Sequence, residues 1–519
     1  MITLSRLKIL IYAVFFGYTL YLAAFSSSDL PSSRMHGSFF PYLADKPIHE
    51  DGFYMLTVAR NIAEGNGFQY TYNSPTTGVQ PLATIIYAGV YFLTSLFQID
   101  AINSLRFILV LASVLFLIYA RIMCRAAYTL FPETNKDFLE VLVLLLTLMN
   151  FDLFYSFFNG LETGVYTIFI VLAIMSSRKL VIIREPVPVI ETLKVGIVFG
   201  LASLARLDFL LLSGVFWIAV LIYNSKRLRE LFIVSSVQVI FLLPWIWYIY
   251  VVTGTIFQTS ISAQTGFVSF ESLFNRSSEM IFVVLEQLTP FIYTASKKWV
   301  LLIVVPVMVG AILYFTRNSR YSGRLLKPDK LILRYWAFAG FAFIIVYIFY
   351  SFATYFYFRY TTPLQPLVVL LFLTIILGIK NTLLSKIRLI TPILVLGFLL
   401  HAYFYFHSGK LGVEMSLRPH YIAENFSSNE KIGIFQSGVA GYFCPNVINL
   451  DGKVNHRVLD YSKSGQLNRY LDSSGVNVLI EWREAFENDY SDYFKNNWVV
   501  KSSDLGDGRT VCLVRKNKK

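Results

Sequence analysis

The sequence predicts a polytopic α-helical membrane protein carrying a small extracytoplasmic α/β domain at its C-terminal end. Three observations predict it. Of 519 residues, 55% are hydrophobic and only 15% charged, against about 25% charged in soluble domains, and the mean hydropathy is +0.57. Apolar runs of roughly 17 to 25 residues, long enough to cross a hydrocarbon core of about 30 Å, recur from Leu7 to Phe406. Beyond Phe406 the long apolar runs stop, charges, Asn, Ser and Gly become frequent, and the periodicity changes.

The first run, Leu7 to Phe25, follows Arg6 and Lys8. It has no small-x-small cleavage site and is long for a signal sequence, so it reads as the first span. Ten further spans are expected at Leu105 to Met123, Phe138 to Tyr155, Thr163 to Ser177, Val195 to Leu204, Phe209 to Tyr223, Leu231 to Val251, Val300 to Phe315, Tyr335 to Ala353, Leu364 to Gly378 and Leu389 to Phe406. Lys and Arg cluster between runs, at Arg6/Lys8, Arg121/Arg125/Lys136, Arg178/Lys179/Arg184, Lys226/Arg227/Arg229, between Arg317 and Arg334, and at Lys380/Lys386/Arg388. By the positive-inside rule these clusters face the cytoplasm. The formal charge of +13 therefore reports topology and gives no reason to expect a nucleic-acid partner.

Pro81 to Phe97 is long enough to span, but counting it would move Arg121 and Arg125 outside. It reads instead as a helix at, or dipping into, the outer interface. The predicted organisation is a membrane domain over 1–406, with a first external loop over 26–103, and an external domain over 407–519. Eleven spans with the N-terminus inside leave the C-terminus outside. In the external domain "KIGIFQ", "NVINL", "VNVLIEW", "NWVV" and "TVCLVRK" read as short strands. Cys444 and Cys512 both fall there, where a disulfide is one option that sequence alone does not decide.

The stretch "HEDGFYMLTVARNIAEGNGF" opens the polar part of the first loop. Phe53, Leu56, Ala59 and Ile62 recur every third position, which predicts a short amphipathic helix lying along the membrane surface and ending at Gly65 and Gly67. Asp51 stands at its start, where a carboxylate either caps the helix or, held at the outer interface, acts as a general base. "SPTTGVQPL" reads as a turn into the interfacial helix. "LARLDF" sets Arg206 and Asp208 between two runs too short to span comfortably, a break tolerated where it lines a cavity. Glu162 and Arg359 sit at outer ends of spans. Arg206 and Asp208 pair with one another on one reading; on the other, Arg206 or Arg359 meets a lipid-linked phosphate, which a guanidinium fork suits. No Walker loop, HExxH, CxxC pair or GxSxG occurs, and six scattered histidines form no metal-site pattern.

In order, "EDGFYMLTVARNIAEGNGF", "SPTTGVQPL", "NGLETGVY", "LARLDFLLL", "GTIFQTSISAQTG" and "FRYTTPLQPLVVLL" resemble the bacterial GT-C superfamily of polytopic glycosyltransferases, above all the branch with mycobacterial terminal arabinofuranosyltransferases. The external "IGIFQSGVAGYFCPNVINLDGKVNHRVLDY" resembles the C-terminal region of that branch. The resemblance implies a bacterial cytoplasmic-membrane enzyme that moves a sugar from a polyprenyl-phosphate donor to a cell-envelope glycan or glycolipid on the external face. It places the acidic pair of the family on Asp51, as base, and Glu50, as helper or second ligand. It also makes Glu162, Arg206, Asp208 and Arg359 cavity or phosphate contacts. Relatives often have Lys where this chain has Gln264, so another cation, Lys46, Arg60, Lys297 or Lys298, is expected in its place. Some related enzymes use a divalent cation on the leaving phosphate, an option the sequence leaves open. The competing expectations are a transporter or flippase of lipid-linked sugars and a glycan-binding scaffold; the single long external loop and terminal domain favour chemistry at one face.

Overall fold

The computed structural model describes residues 4–24, 46–71, 74–183, 185–264, 272–287, 328–350, 354–377, 413–487 and 491–516, with isolated positions at 399 and 403. Helices dominate up to Ile376, and a five-stranded sheet follows Ile432. Among the described residues, five helices are long and apolar enough to cross a membrane: Leu4–Ala24, Ala101–Leu130, Thr163–Ile182, Ser225–Thr253 and Leu331–Tyr350. Pro81–Leu96 and Phe209–Tyr223 are apolar but shorter. The expected spans at Val300 to Phe315 and, but for two positions, at Leu389 to Phe406 lie outside the described residues.

Local chemistry sets the helix ends. Asp100 and Asn135 accept from the backbone N–H groups of Asn103 and Phe138, at 2.8 and 3.0 Å, at the starts of Ala101–Leu130 and Lys136–Leu148. The expected single span Phe138 to Tyr155 is instead a pair of helices, Lys136–Leu148 and Phe151–Phe158, bent by 64°. Asn150 causes the break, because its side chain accepts from Leu153 N–H at 2.8 Å and starts a new helix. The break foreseen at "LARLDF" is present between Val189–Ala205 and Phe209–Tyr223, where Arg206 is extended. At one end of the first helix Lys8 meets Asp137 at 2.7 Å and Glu140 at 3.1 Å, and Arg121 meets Glu140 at 3.0 Å. These pairs tie three helices together.

The helix expected to lie along the membrane surface runs from Glu50 to Ala63, and every residue from Glu50 to Ala59 is buried. Its sequence periodicity suggested one exposed face, but the C-terminal domain packs on that face. Pro81–Leu96, started by a proline at its first position, covers another side.

The C-terminal sheet has strands β3 (Ile432–Ile434), β4 (Val447–Asn449), β5 (Val478–Trp482), β6 (Trp498–Ser502) and β7 (Thr510–Arg515), after the two-stranded β1 (Gln69–Thr71) and β2 (Ser74–Pro75) of the first loop. Its order is β4-β3-β5-β7-β6, with β3 parallel to β4 and β5 and the other pairs antiparallel. Cys444 and Cys512 are both buried and free, so the disulfide option is not taken.

The sheet docks with the carboxyl ends of β3 and β4 toward the Glu50–Ala63 helix. Two glycines permit the contact. A Cβ on Gly438 would collide with the carbonyl oxygen of Glu50, and one on Gly78 with that of Lys453. Gly438→Ala should therefore cost about 1–3 kcal/mol by overpacking and leave the C-terminal domain open to limited proteolysis. Gly89→Ala, in Pro81–Leu96 with nothing within 4 Å of the added methyl, should keep or raise the melting temperature.

Candidate functional site

The site begins with how the Glu50–Ala63 helix starts. His49, not Asp51, is the cap: its ring Nδ1 accepts from Asp51 N–H at 3.1 Å, and its own N–H donates to the Asn159 carbonyl at 3.0 Å. Relieved of capping, the two carboxylates diverge, because successive helical residues point about 100° apart.

Glu50 turns into the C-terminal domain. Its Oε1 accepts from Gly438 N–H and its Oε2 from Val439 N–H, the latter at 3.1 Å. One turn on, the Tyr54 hydroxyl lies 3.1 Å from the Phe435 carbonyl and from Asp451 Oδ2, and accepts from Ser437 N–H at 3.1 Å. Both side chains fill the crevice beyond the ends of β3 and β4. Burial pushes the Glu50 carboxyl up to about 8, against Arg418 and the two backbone donors, which favour its charged form. Glu50 does not line the cavity described next; its contacts are with the C-terminal domain.

Asp51 faces a cavity of about 480 Å³. On its wall stands a row of alternating charge. Asp51 meets Lys453 Nζ at 3.0 Å and Arg359 at 3.7 Å, and Lys453 also lies 3.5 Å from Asp451. Arg359 donates to both oxygens of Glu162, at 3.2 and 3.1 Å. Arg206 donates to Asp208 at 2.6 Å and to the Arg359 carbonyl at 3.1 Å, and its Nε is 3.9 Å from Glu162. The Tyr347 hydroxyl donates to Asp208 at 2.6 Å. Burial alone would push the Asp51 carboxyl up, but Lys453, His49 and Arg359 outweigh it and hold the group at about 2. Burial likewise works against the Lys453 ammonium, yet Asp51 and Asp451 raise its pKa above the usual lysine value. Asp51 and Lys453 therefore face each other as ions at neutral pH.

The rest of the wall is apolar. Leu210, Ile256 and Phe257 line the cavity and are themselves exposed on the outside of the helical domain. The cavity thus joins a charged floor to an apolar rim. Gly78, Val79 and Gln80 of "SPTTGVQPL" also line it, so that turn is part of the wall.

The structure thus brings Asp51, Glu162, Arg206, Asp208 and Arg359 together and sets two expected cations apart. Arg60 lies 4.6 Å over the Tyr442 ring and 3.7 Å from Glu64, away from the wall. Lys46 is buried elsewhere and does not line the cavity. Lys297, Lys298 and the Gln264 side chain lie outside the described residues. Among the described residues the third cation on the wall is Lys453, which sequence reading did not single out; it lies 402 positions from Asp51 in the chain. Its trace in sequence was the external stretch "IGIFQSGVAGYFCPNVINLDGKVNHRVLDY", in which it follows an Asp-Gly pair. No three His, Cys, Asp or Glu side chains among the described residues stand together as metal ligands. The two cations on Asp51 also oppose a third positive charge there, so the described site does not fit a divalent metal.

No family model and no curated protein matches the sequence. Solved structures do match in fold. ArnT from Cupriavidus metallidurans in the apo state aligns with a TM-score of 0.58 and 10% identity, covering 98% of this chain and 97% of that one. The same protein bound to undecaprenyl phosphate aligns at 0.55 and 10%, covering 99% and 98%. The Archaeoglobus fulgidus oligosaccharyltransferase aligns at 0.53 and 12%, covering 93% of this chain and 70% of that one.

Glu50→Ala should leave the buried N–H groups of Gly438 and Val439 without acceptors, at about 1–3 kcal/mol each. The expected readout is faster hydrogen exchange across Gly438–Phe443, with Glu50→Gln, which keeps one carbonyl acceptor, falling between.

Proposed function

We propose that this chain, which has the GT-C fold, is an integral membrane glycosyltransferase that takes a sugar from a polyprenyl-phosphate donor. It passes that sugar to a cell-envelope glycan or glycolipid on the extracytoplasmic face of a bacterial cytoplasmic membrane. The observation that carries the reading is the joining, in one cavity, of an apolar rim to a floor of buried cations and carboxylates around Asp51. A lipid tail suits the rim, and a phosphate suits the cations. Undecaprenyl phosphate is bound by the ArnT neighbour, which supports the same ligand class here.

The chemistry follows from charge. An acceptor hydroxyl gives its proton to an Asp51 oxygen while its own oxygen bonds to the anomeric carbon. The bond from that carbon to the phosphate breaks, and its electron pair leaves with polyprenyl phosphate. Arg206 and Arg359, held by Asp208 and Glu162, offer fixed positive charge near the departing oxygen, which costs little reorganisation during the reaction. A single in-line displacement inverts the anomeric centre.

Asp51→Asn keeps the side-chain shape but offers no basic oxygen. Release of polyprenyl phosphate from a panel of polyprenyl-phosphate sugars should fall by roughly 10²-fold or more, and the melting temperature should fall as well, because Lys453 and Arg359 lose their buried counter-ion. Equal turnover by wild type and variant would remove Asp51 from the role of base. The depressed Asp51 pKa fixes the sign of the pH dependence. In the free enzyme the ionised form persists above about 2 and is lost only as pH falls through that value. The kcat/KM profile should therefore show no Asp51 inflection between about pH 4 and 8.

A further inference from the structure

We propose that Lys453 is the cation that receives the donor phosphate, leaving Asp51 as it does so, and that the C-terminal domain thereby completes the reaction centre. The inference rests on the lipid-phosphate donor proposed above and adds the residue and the order of events.

Three observations carry it. Of the three cations on the wall among the described residues, Arg206 and Arg359 make their shortest contacts with partners other than Asp51: Arg206 with Asp208 and the Arg359 carbonyl, Arg359 with both oxygens of Glu162, its approach to Asp51 being longer at 3.7 Å. Lys453 alone makes its shortest contact with the proposed base, at 3.0 Å. Its side chain is 19% exposed against 8% for Asp51, an exposure that Arg359 shares, so a ligand in the cavity meets the cation before the base.

The third observation concerns what can move. The Lys453 backbone is fixed: its N–H donates to Asp451 Oδ1 at 2.8 Å, and its carbonyl packs on Gly78 where no side chain fits. The preceding Gly452 has a φ of +78°, which favours glycine and shapes the turn. A pinned backbone with a flexible four-carbon stem lets the charge swing between two anions while its root stays in place.

In the resting site Lys453 and Arg359 face Asp51, together with the His49 ring that caps its helix. An arriving phosphate competes with Asp51 for Lys453. As the ammonium moves to it, Asp51 loses its nearest positive charge and gains affinity for a proton. The acceptor hydroxyl then gives its proton to Asp51, the oxygen–carbon bond forms, and the carbon–phosphate oxygen bond breaks with its electron pair on the phosphate beside Lys453. Departure of polyprenyl phosphate and loss of the proton to water return Lys453 to Asp51. Base strength thus appears only after the donor is in place, which disfavours activation of the acceptor over an empty site.

The test measures binding of undecaprenyl phosphate to the full chain in nanodiscs, for wild type, Lys453→Gln, Lys453→Arg and Asp51→Asn. Loss of one charge-assisted contact predicts binding weaker by roughly tenfold or more in Lys453→Gln, with Lys453→Arg near wild type. Asp51→Asn, which removes the competing anion, should bind as tightly as wild type or more tightly, and this arm holds even where Lys453→Gln folds poorly. Wild-type affinity in Lys453→Gln overturns the inference and leaves the donor reading standing. Binding lost equally in Asp51→Asn shows that Lys453 depends on Asp51 and does not leave it, and overturns the exchange. A wild type that does not bind undecaprenyl phosphate overturns both.

Discussion

The site depends on one contact made outside it. Glu50 and Tyr54, a helical turn apart, fill the crevice at the ends of β3 and β4 and are held there by the backbone of Phe435, Ser437, Gly438 and Val439. That crevice receives a helix of the same chain. Because Lys453 follows β4 by four residues, seating Glu50 and Tyr54 in the crevice also carries Lys453 to Asp51. Two neighbouring carboxylates thus face different ways, one gripping the domain and the other facing the cavity.

The row of charge beside Asp51 is the second constraint. Asp451, Lys453, Asp51, Arg359, Glu162, Arg206 and Asp208 alternate in sign. Taking ions out of water is costly, and removing one member of a buried pair leaves its partner uncompensated. Alternation meets that cost by giving each ion opposite neighbours, and it keeps positive groups in a low-dielectric cavity before any substrate arrives. An anion entering such a row must displace a carboxylate from a cation, so binding and a change in carboxylate basicity are coupled by electrostatics alone.

Much of this was legible in the sequence where local physics decides. Two apolar runs too short to span, separated by Arg206 and Asp208, announced the break that sets both residues on the cavity wall. The acidic pair after His49 announced a helix start beside a polar loop. Other features were decided by neighbours distant in the chain. The period-three pattern from Phe53 suggested a helix with one side open, yet the C-terminal domain covers that side. Arg60 lay in the same pattern, and the same packing turned it onto Tyr442. A continuous apolar run from Phe138 hid the bend at Asn150, since hydropathy does not register a side chain that competes for backbone N–H groups.

By itself the sequence determined what depends on composition and short-range order: a helical membrane protein, a C-terminal domain of mixed strands and helices, and the carboxylates and arginines that such a chain does not bury without partners. Only the tertiary structure decided which partner each charge takes. Lys453 and Asp51 are 402 positions apart, and nothing in the spacing of either segment encodes their meeting. It follows from the docking of a sheet on a helix, and docking depends on shape and backbone hydrogen bonds at Gly78, Gly438 and Val439 that a one-dimensional pattern of apolar and polar residues does not carry.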